Sequence, residues 1–201
     1  MSALPLLQDL RRLFVEELPL LDVRAPVEFA RGAFPLAHNL PLIDDSERHE
    51  IGRRYKEVGH EAAVELGEQL VSGELREQRV AAWRRFIEAH PEGALYCFRG
   101  GQRSRISQQW IYAATGIAYP RIAGGYKALR SLLIDELEAA AKDVNTIVIG
   151  GRTGTGKTLL LQQLQHTIDL EKLARHRGSA FGRHAVSQPT QIDFENALAI
   201  A

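Results

Sequence analysis

Ala94-Leu95-Tyr96-Cys97-Phe98-Arg99-Gly100-Gly101-Gln102-Arg103-Ser104 passes from a compact apolar run, through the only cysteine of the chain, to a glycine pair and a polar helix start. Ala94–Tyr96 suits a short buried strand, and Ser104 to Ala114 has helical spacing closed by Gly116. Strand, glycine loop and helix in that order make the repeating unit of a parallel α/β sheet. In such sheets the loops at the carboxyl ends of strands carry the chemistry. Cys97 is the first residue after such a strand.

The flanking sequence repeats the pattern. Upstream, Leu20-Leu21-Asp22-Val23-Arg24 is an apolar run ending in charge, followed by a short helix from Pro26 to Arg31 and a second strand around His38–Leu40. Asp44 to Glu77 is polar and helical in period, with Ile51, Tyr55, Val58, Ala62, Val64, Leu66 and Leu70 as its apolar stripe, and a further helix spans Arg79 to Ala89. Downstream, Pro120–Ala123 predicts a strand and Tyr126 to about Ala141 a helix. A boundary falls near Lys142–Asn145, and Thr146-Ile147-Val148-Ile149 opens a new strand. The expected fold is α/β: a parallel sheet flanked by helices over 1–141, with a helical insertion at about 44–77, then the start of a second α/β domain over 145–201.

Composition narrows the function. Apolar content of 45% and charged content of 25% match a globular chain, which argues against disorder. The formal net charge is zero, so any RNA contact rests on local patches rather than on an overall basic field. One thiol forms neither an internal disulfide nor a zinc cluster; a reducing, cytoplasmic setting and no protein-held metal are expected. Asp9, Glu16 and Glu17 argue against a signal peptide, and no segment approaches the ~20 apolar residues of a membrane span.

The loop around Cys97 suits a nucleophilic sulfur. Amides of Gly100, Gly101 and Gln102 and the start of the helix at Arg103 and Ser104 converge on the sulfur position, while Arg99 and Arg103 add positive charge. All of these favour the thiolate. They also suit an anionic persulfide or an incoming oxyanion. A lone cysteine after a strand is more often a small buried hydrophobe, but two arginines and a glycine pair beside it tilt the reading to catalysis.

A second loop has its own signature. Gly151-Arg152-Thr153-Gly154-Thr155-Gly156-Lys157-Thr158 satisfies G-x-x-x-x-G-K-[ST] and precedes the apolar Leu159–Leu161. Its glycines let the backbone wrap a phosphate, Lys157 reaches the outer phosphates, and Thr158 is placed to ligate magnesium. The motif identifies a di- or triphosphate without saying which. Asp169 is a weak candidate for the metal-binding carboxylate of such sites. From Lys172 to Ile192 there is no acidic residue; Arg175, His176, Arg177, Ser179 and Arg183 form a candidate contact for tRNA or another phosphate.

These residues match known families. The Cys97 loop resembles the active-site loop of rhodanese-like domains, as do Leu21–Arg24 with Glu28-Phe29, Gly32 through Pro41, and Ile122–Tyr126. Arg53–Gly59 with Glu61–Ala63, the stretch His176–Gly182, and Gln188–Gln191 with Phe194–Asn196 resemble tRNA 2-selenouridine synthases. Together the matches span nearly the whole chain.

The resemblance implies a transferase that replaces sulfur by selenium in wobble 2-thiouridine of tRNA. It alkylates the sulfur with geranyl diphosphate and then takes selenium from selenophosphate, which a separate enzyme supplies. It implies no tightly bound cofactor. Members of the family are longer, so the chain reads as an N-terminal portion whose own activity stays open. Two other readings stand beside it: a rhodanese-type sulfurtransferase using the Cys97 loop alone, and a non-catalytic tRNA- or nucleotide-binding fragment.

Overall fold

A computed structural model describes residues 3–152, 154–177 and 185–201. The chain opens with β1 (Leu6–Leu7), α1 (Leu10–Val15), β2 (Leu20–Asp22), α2 (Pro26–Arg31) and β3 (Ala37–Asn39). Three helices follow, α3 (Asp45–Val58), α4 (His60–Leu70) and α5 (Gly73–Ala89), and then β4 (Ala94–Tyr96), α6 (Gln102–Thr115), β5 (Arg121–Ile122) and α7 (Gly125–Asp143). Three short helices complete the described elements: α8 (Lys157–Leu161), α9 (Leu170–Leu173) and α10 (Gln191–Ile200). Two compact units result, one of Met1–Arg31 with Leu36–Ser131 and one of Gly32–Pro35 with Leu132–Ala201.

The first unit contains a five-stranded sheet in the order β1-β5-β4-β2-β3, and every pairing is parallel. All residues of β2 and β4 are buried, which is why both read as unbroken apolar runs without alternation. Leu21 lies opposite Leu95 and Asp22 opposite Tyr96. From β2 the chain continues to β3 on one side; from β4 it continues to β5 on the other. The carboxyl ends of β2 and β4 therefore form a topological switch point, where a parallel sheet opens a crevice.

Leu21, Val23, Leu95, Ile111, Trp83 and Ile87 are each no more than 1% exposed and belong to one apolar cluster with Tyr119 and Phe86. Truncating a core leucine of this kind to alanine costs about 2–5 kcal/mol. Helix α3 begins with a capping box: Asp44 accepts from the Glu47 N–H at 2.8 Å, and Glu47 accepts from the Asp44 N–H at 2.7 Å. Glu47 also receives Arg79 of α5 at 2.8 Å, tying the insertion to the next helix.

The expected alternation of strands and helices holds through Asp143, with shifted boundaries. The helical stretch 44–77 holds α3 and α4, separated at Gly59, and the first turn of α5, which starts at Gly73 rather than Arg79. Strand β1 escapes sequence reading because Leu6-Leu7 is too short to show a period.

One expectation is overturned. Thr146–Ile149 forms no strand, and Ile147 and Val148 are 90% and 86% exposed. A strand needs a partner for its N–H and C=O groups, and β5 is the last strand among the described residues. The second unit is instead helical and loop-rich. In it Ala33 donates its N–H to Asp193 Oδ1 and accepts from Asn196 Nδ2, both at 2.7 Å.

Candidate active site

Cys97 follows β4 directly, at the switch point. The backbone that leaves it is pinned on three carbonyls. Tyr126 N–H donates to Cys97 O at 2.9 Å, Lys127 N–H to Phe98 O at 3.0 Å, and the Arg121 guanidinium to Gly100 O at 2.7 Å. This close approach requires glycine. Gly100 and Gly125 have φ of +64° and +59°, and a Cβ on Gly125 would lie 2.2 Å from Cys97 O and 2.4 Å from Gly100 N. The two glycine-bearing turns read separately in the sequence thus form one interlocked structure.

The thiol is set deeper than its polar neighbours suggest. Cys97 is 3% exposed and borders the apolar cluster. Its S–H donates to Ser104 Oγ at 3.3 Å, and Ser104 in turn donates to Gly101 O at 3.0 Å. Rotating the hydroxyl would let Ser104 donate to a thiolate instead. Gly101 caps α6 without a side-chain bond, so the cap residue itself satisfies none of the first amides of the helix.

Beside Arg121, which holds Gly100 O, three more arginines stand around the loop, and they differ. Arg103 is clamped by Glu28, with Nη2 3.0 Å from Oε1 and Nη1 in close contact with Oε2. Glu28 also accepts from the Ala25 N–H at 3.1 Å and lies 3.3 Å from Arg48. Burial alone would raise the Glu28 pKa, but Arg103, the Ala25 amide and Arg48 outweigh it and hold the carboxyl below its usual range. Burial likewise opposes the charge on Arg103; Glu28 above all, and the nearby Cys97 sulfur, restore it and push its pKa up.

Arg24 is buried and bonded to Asp22 through Nε at 2.8 Å and Nη2 at 2.6 Å. Its guanidinium lies 3.9 Å from the Tyr126 ring centroid. Burial and the Asp22 carboxylate raise the Tyr96 phenol well above its ordinary pKa, so that ring stays neutral. Arg99 is exposed, with its guanidinium 5.9 Å from the Phe98 ring and no carboxylate partner among the described residues. Asp22, Arg24 and Glu28 thus join the site; the signal for them was charge at the end of a buried strand and at the next helix.

In the second unit, Lys157 Nζ donates to Gly151 O at 2.9 Å and Arg152 O at 3.1 Å. Thr155 Oγ1 donates to Arg152 O at 2.8 Å, and Gly154 and Gly156 take φ of +86° and +83°. The ammonium therefore rests on carbonyls of its own exposed loop. Thr158 lies in α8; Thr153 is outside the described residues. Asp169 caps α9 by accepting from the Lys172 N–H at 3.0 Å. Arg175 donates to Ser187 O at 3.5 Å, His176 and Arg177 follow it, and Ser179 and Arg183 are outside the described residues. Among the described residues no group of three His, Cys, Asp or Glu could hold a metal, and no helix is long and apolar enough to cross a membrane.

Comparison with known proteins places these features in a family context. Residues 144–201 match the family described as the tRNA 2-selenouridine synthase AAA domain. Three curated relatives are named tRNA 2-selenouridine synthase. The Bordetella bronchiseptica protein is 59% identical over 96% of this chain and 52% of its own length. That of Marinobacter nauticus is 57% identical over 100% and 54%, and that of Cupriavidus necator 60% over 96% and 52%. The chain spans about half the length of these relatives. The N-terminal domain of a protein described as ATP/GTP binding, from Clostridium difficile 630, superposes with a TM-score of 0.57 at 26% identity, covering 64% of this chain and 98% of that domain. The resemblance to tRNA 2-selenouridine synthases read from the residues is borne out.

Proposed function

We propose that this chain is part of a tRNA-modifying selenotransferase of the 2-selenouridine synthase kind, with a rhodanese-like first unit that handles sulfur or selenium and a P-loop that grips a diphosphate. The observation that carries the reading is the lone Cys97 thiol at the switch point of the sheet, bonded to Ser104 beneath the first turn of α6. The kinship with synthases at 57–60% identity supports it. The domain limits proposed are 1–141 and 145–201.

The chemistry proceeds in two substitutions. The wobble 2-thiouridine sulfur attacks geranyl diphosphate, its C–O bond breaks, and pyrophosphate departs. Selenium of selenophosphate then attacks the base carbon, the C–S bond breaks, and geranyl thiol leaves; water takes the phosphoryl group. Lys157 and the amides of Gly151–Gly156 would stabilise the departing pyrophosphate. Magnesium, where used, would arrive with the diphosphate and meet the Thr158 hydroxyl. Cys97, held by Ser104, would assist delivery of selenophosphate to the base without forming a bond to selenium, which passes directly from phosphorus to carbon.

The test is incubation of 2-thiolated tRNA with geranyl diphosphate and selenophosphate, followed by nucleoside mass measurement. S-geranyl and seleno nucleosides are expected, with selenation lost in Cys97→Ser and geranyl diphosphate binding lost in Lys157→Ala. Full selenation by Cys97→Ser would remove the role given to the thiol. A rhodanese-type sulfurtransferase remains the second reading, because the entire Cys97 site lies within the first unit. Thiosulfate-to-cyanide transfer without any nucleoside product would favour it.

A further inference from the structure

Of the four arginines around Cys97, two have their charge met by a carboxylate, and Arg121 is half-buried with its guanidinium on the Gly100 carbonyl. Arg24 is bound to Asp22 inside the core, and Arg103 is clamped by Glu28, which Arg48 also approaches. Arg99 is the exception. It is exposed and has no carboxylate partner among the described residues, and its guanidinium lies 5.9 Å from the Phe98 ring. Phe98 itself stacks on Tyr126, with ring centroids 6.0 Å apart and planes 17° from parallel. Arg24 approaches the same Tyr126 ring at 3.9 Å. Guanidinium and aromatic planes are thus gathered beside the sulfur, with Arg99 as the solvent-facing member.

The backbone under this group does not need to be ordered by a ligand. The carbonyls of Cys97, Phe98 and Gly100 are each hydrogen-bonded to groups outside the loop. A partner therefore meets a side-chain platform whose backbone is already set, which lowers the ordering cost of binding. A half-buried aromatic ring next to an uncompensated guanidinium suits a ligand that is planar and anionic at once. A single-stranded nucleotide has both properties: its base stacks on aromatic or guanidinium planes, and its phosphate takes the charge.

We infer that Phe98 and Arg99 form a nucleotide subsite of the Cys97 loop, stacking an unpaired RNA base and pairing its phosphate while the thiol stands one residue away. The inference rests on the proposed tRNA-modifying role and assigns the place where RNA meets the first unit. Arg103, already neutralised, contributes little to it.

The experiment measures binding of this chain to a fluorescent single-stranded oligoribonucleotide, to the same strand made abasic, and to inorganic polyphosphate, by anisotropy at low salt. Arg99→Ala is expected to weaken the intact and abasic strands alike by about tenfold, the size of one hydrogen bond to a charged group. Phe98→Leu is expected to weaken the intact strand severalfold and leave the abasic strand unchanged. Arg103→Gln should cost less than Arg99→Ala. Circular dichroism confirms that each variant is folded.

An unchanged affinity in Arg99→Ala, or a larger loss in Arg103→Gln, overturns the subsite. Equal loss of intact and abasic strand in Phe98→Leu overturns the stacking role and with it the subsite. Failure of selenation with these binding differences intact would defeat the proposed function alone; the reverse result would defeat the subsite alone.

Discussion

Two glycine-bearing loops look alike as sequence and end up in different physical states. Each follows an apolar run, Ala94–Tyr96 before Cys97 and Thr146–Ile149 before Gly151. In the first, the run is a fully buried strand between two neighbours, and the loop after it is held by bonds from Tyr126, Lys127 and Arg121. In the second, the run is exposed and unpaired among the described residues, and the loop bonds mainly to itself. The lesson concerns what a local pattern can specify. Apolar residues next to a glycine loop announce a strand end, but only neighbouring strands satisfy its backbone.

The contrast is broken most forcefully in the first unit. Asp22→Ala leaves Arg24 charged and buried without its partner, an expected loss of about 3–5 kcal/mol in urea unfolding. Leu95→Ala should cost about 2–5 kcal/mol through its cavity. Ile147→Ala, at a residue 90% exposed, should stay within about 0.5 kcal/mol. Hydrogen exchange gives the same division: amides of Leu95 and Tyr96 protected, those of Ile147 and Val148 open. Comparable losses at Leu95 and Ile147 would mean that Thr146–Ile149 is paired in solution, and the contrast would vanish.

A middle-sized effect comes from Glu28, whose clamp on Arg103 was invisible to local reading because 75 residues separate the pair. Glu28→Gln should cost about 2 kcal/mol at neutral pH, as a hydrogen bond to a charged group does. The sign follows from a folded-state pKa held below its ordinary value. The stabilisation is complete above the ordinary carboxylate range and fades as pH falls through the lowered pKa. The gap between wild type and Glu28→Gln should therefore shrink in acid; a gap that widens would refute the pairing. The same variant frees the Arg103 charge beside the sulfur, so alkylation of Cys97 at neutral pH should speed up.

What could be read locally was read correctly: the buried runs Leu20–Asp22 and Ala94–Tyr96, the cap at Gly116 and the glycine turn before Tyr126. Failures came where the outcome depends on distant partners. Nothing near Arg103 predicts Glu28, nothing near Leu6 predicts its pairing with Arg121, and nothing in Thr146–Ile149 says whether a neighbour lies beside it. A cap, by contrast, is local, and Asp44→Ala should cost about 1 kcal/mol by thermal melting.

The smallest stability effect sharpens the comparison most. Lys157 bonds only to carbonyls of its exposed loop, and bonds of that kind compete with water, so Lys157→Ala should shift unfolding by less than about 0.5 kcal/mol. If the ammonium nonetheless serves a diphosphate, the same substitution should remove geranyl diphosphate binding measured by calorimetry. The phosphate pairing would be lost with no compensating contact in the loop. Ser104→Ala makes the opposite case at the other loop: it deletes the hydroxyl bonded to Cys97 inside a buried site, so stability and thiol reactivity should fall together. Function separable from stability at Lys157, but coupled to it at Ser104, is what an open loop and a pinned loop should give. Should Lys157→Ala unfold the chain as readily as Ser104→Ala, the second loop is as firmly built as the first.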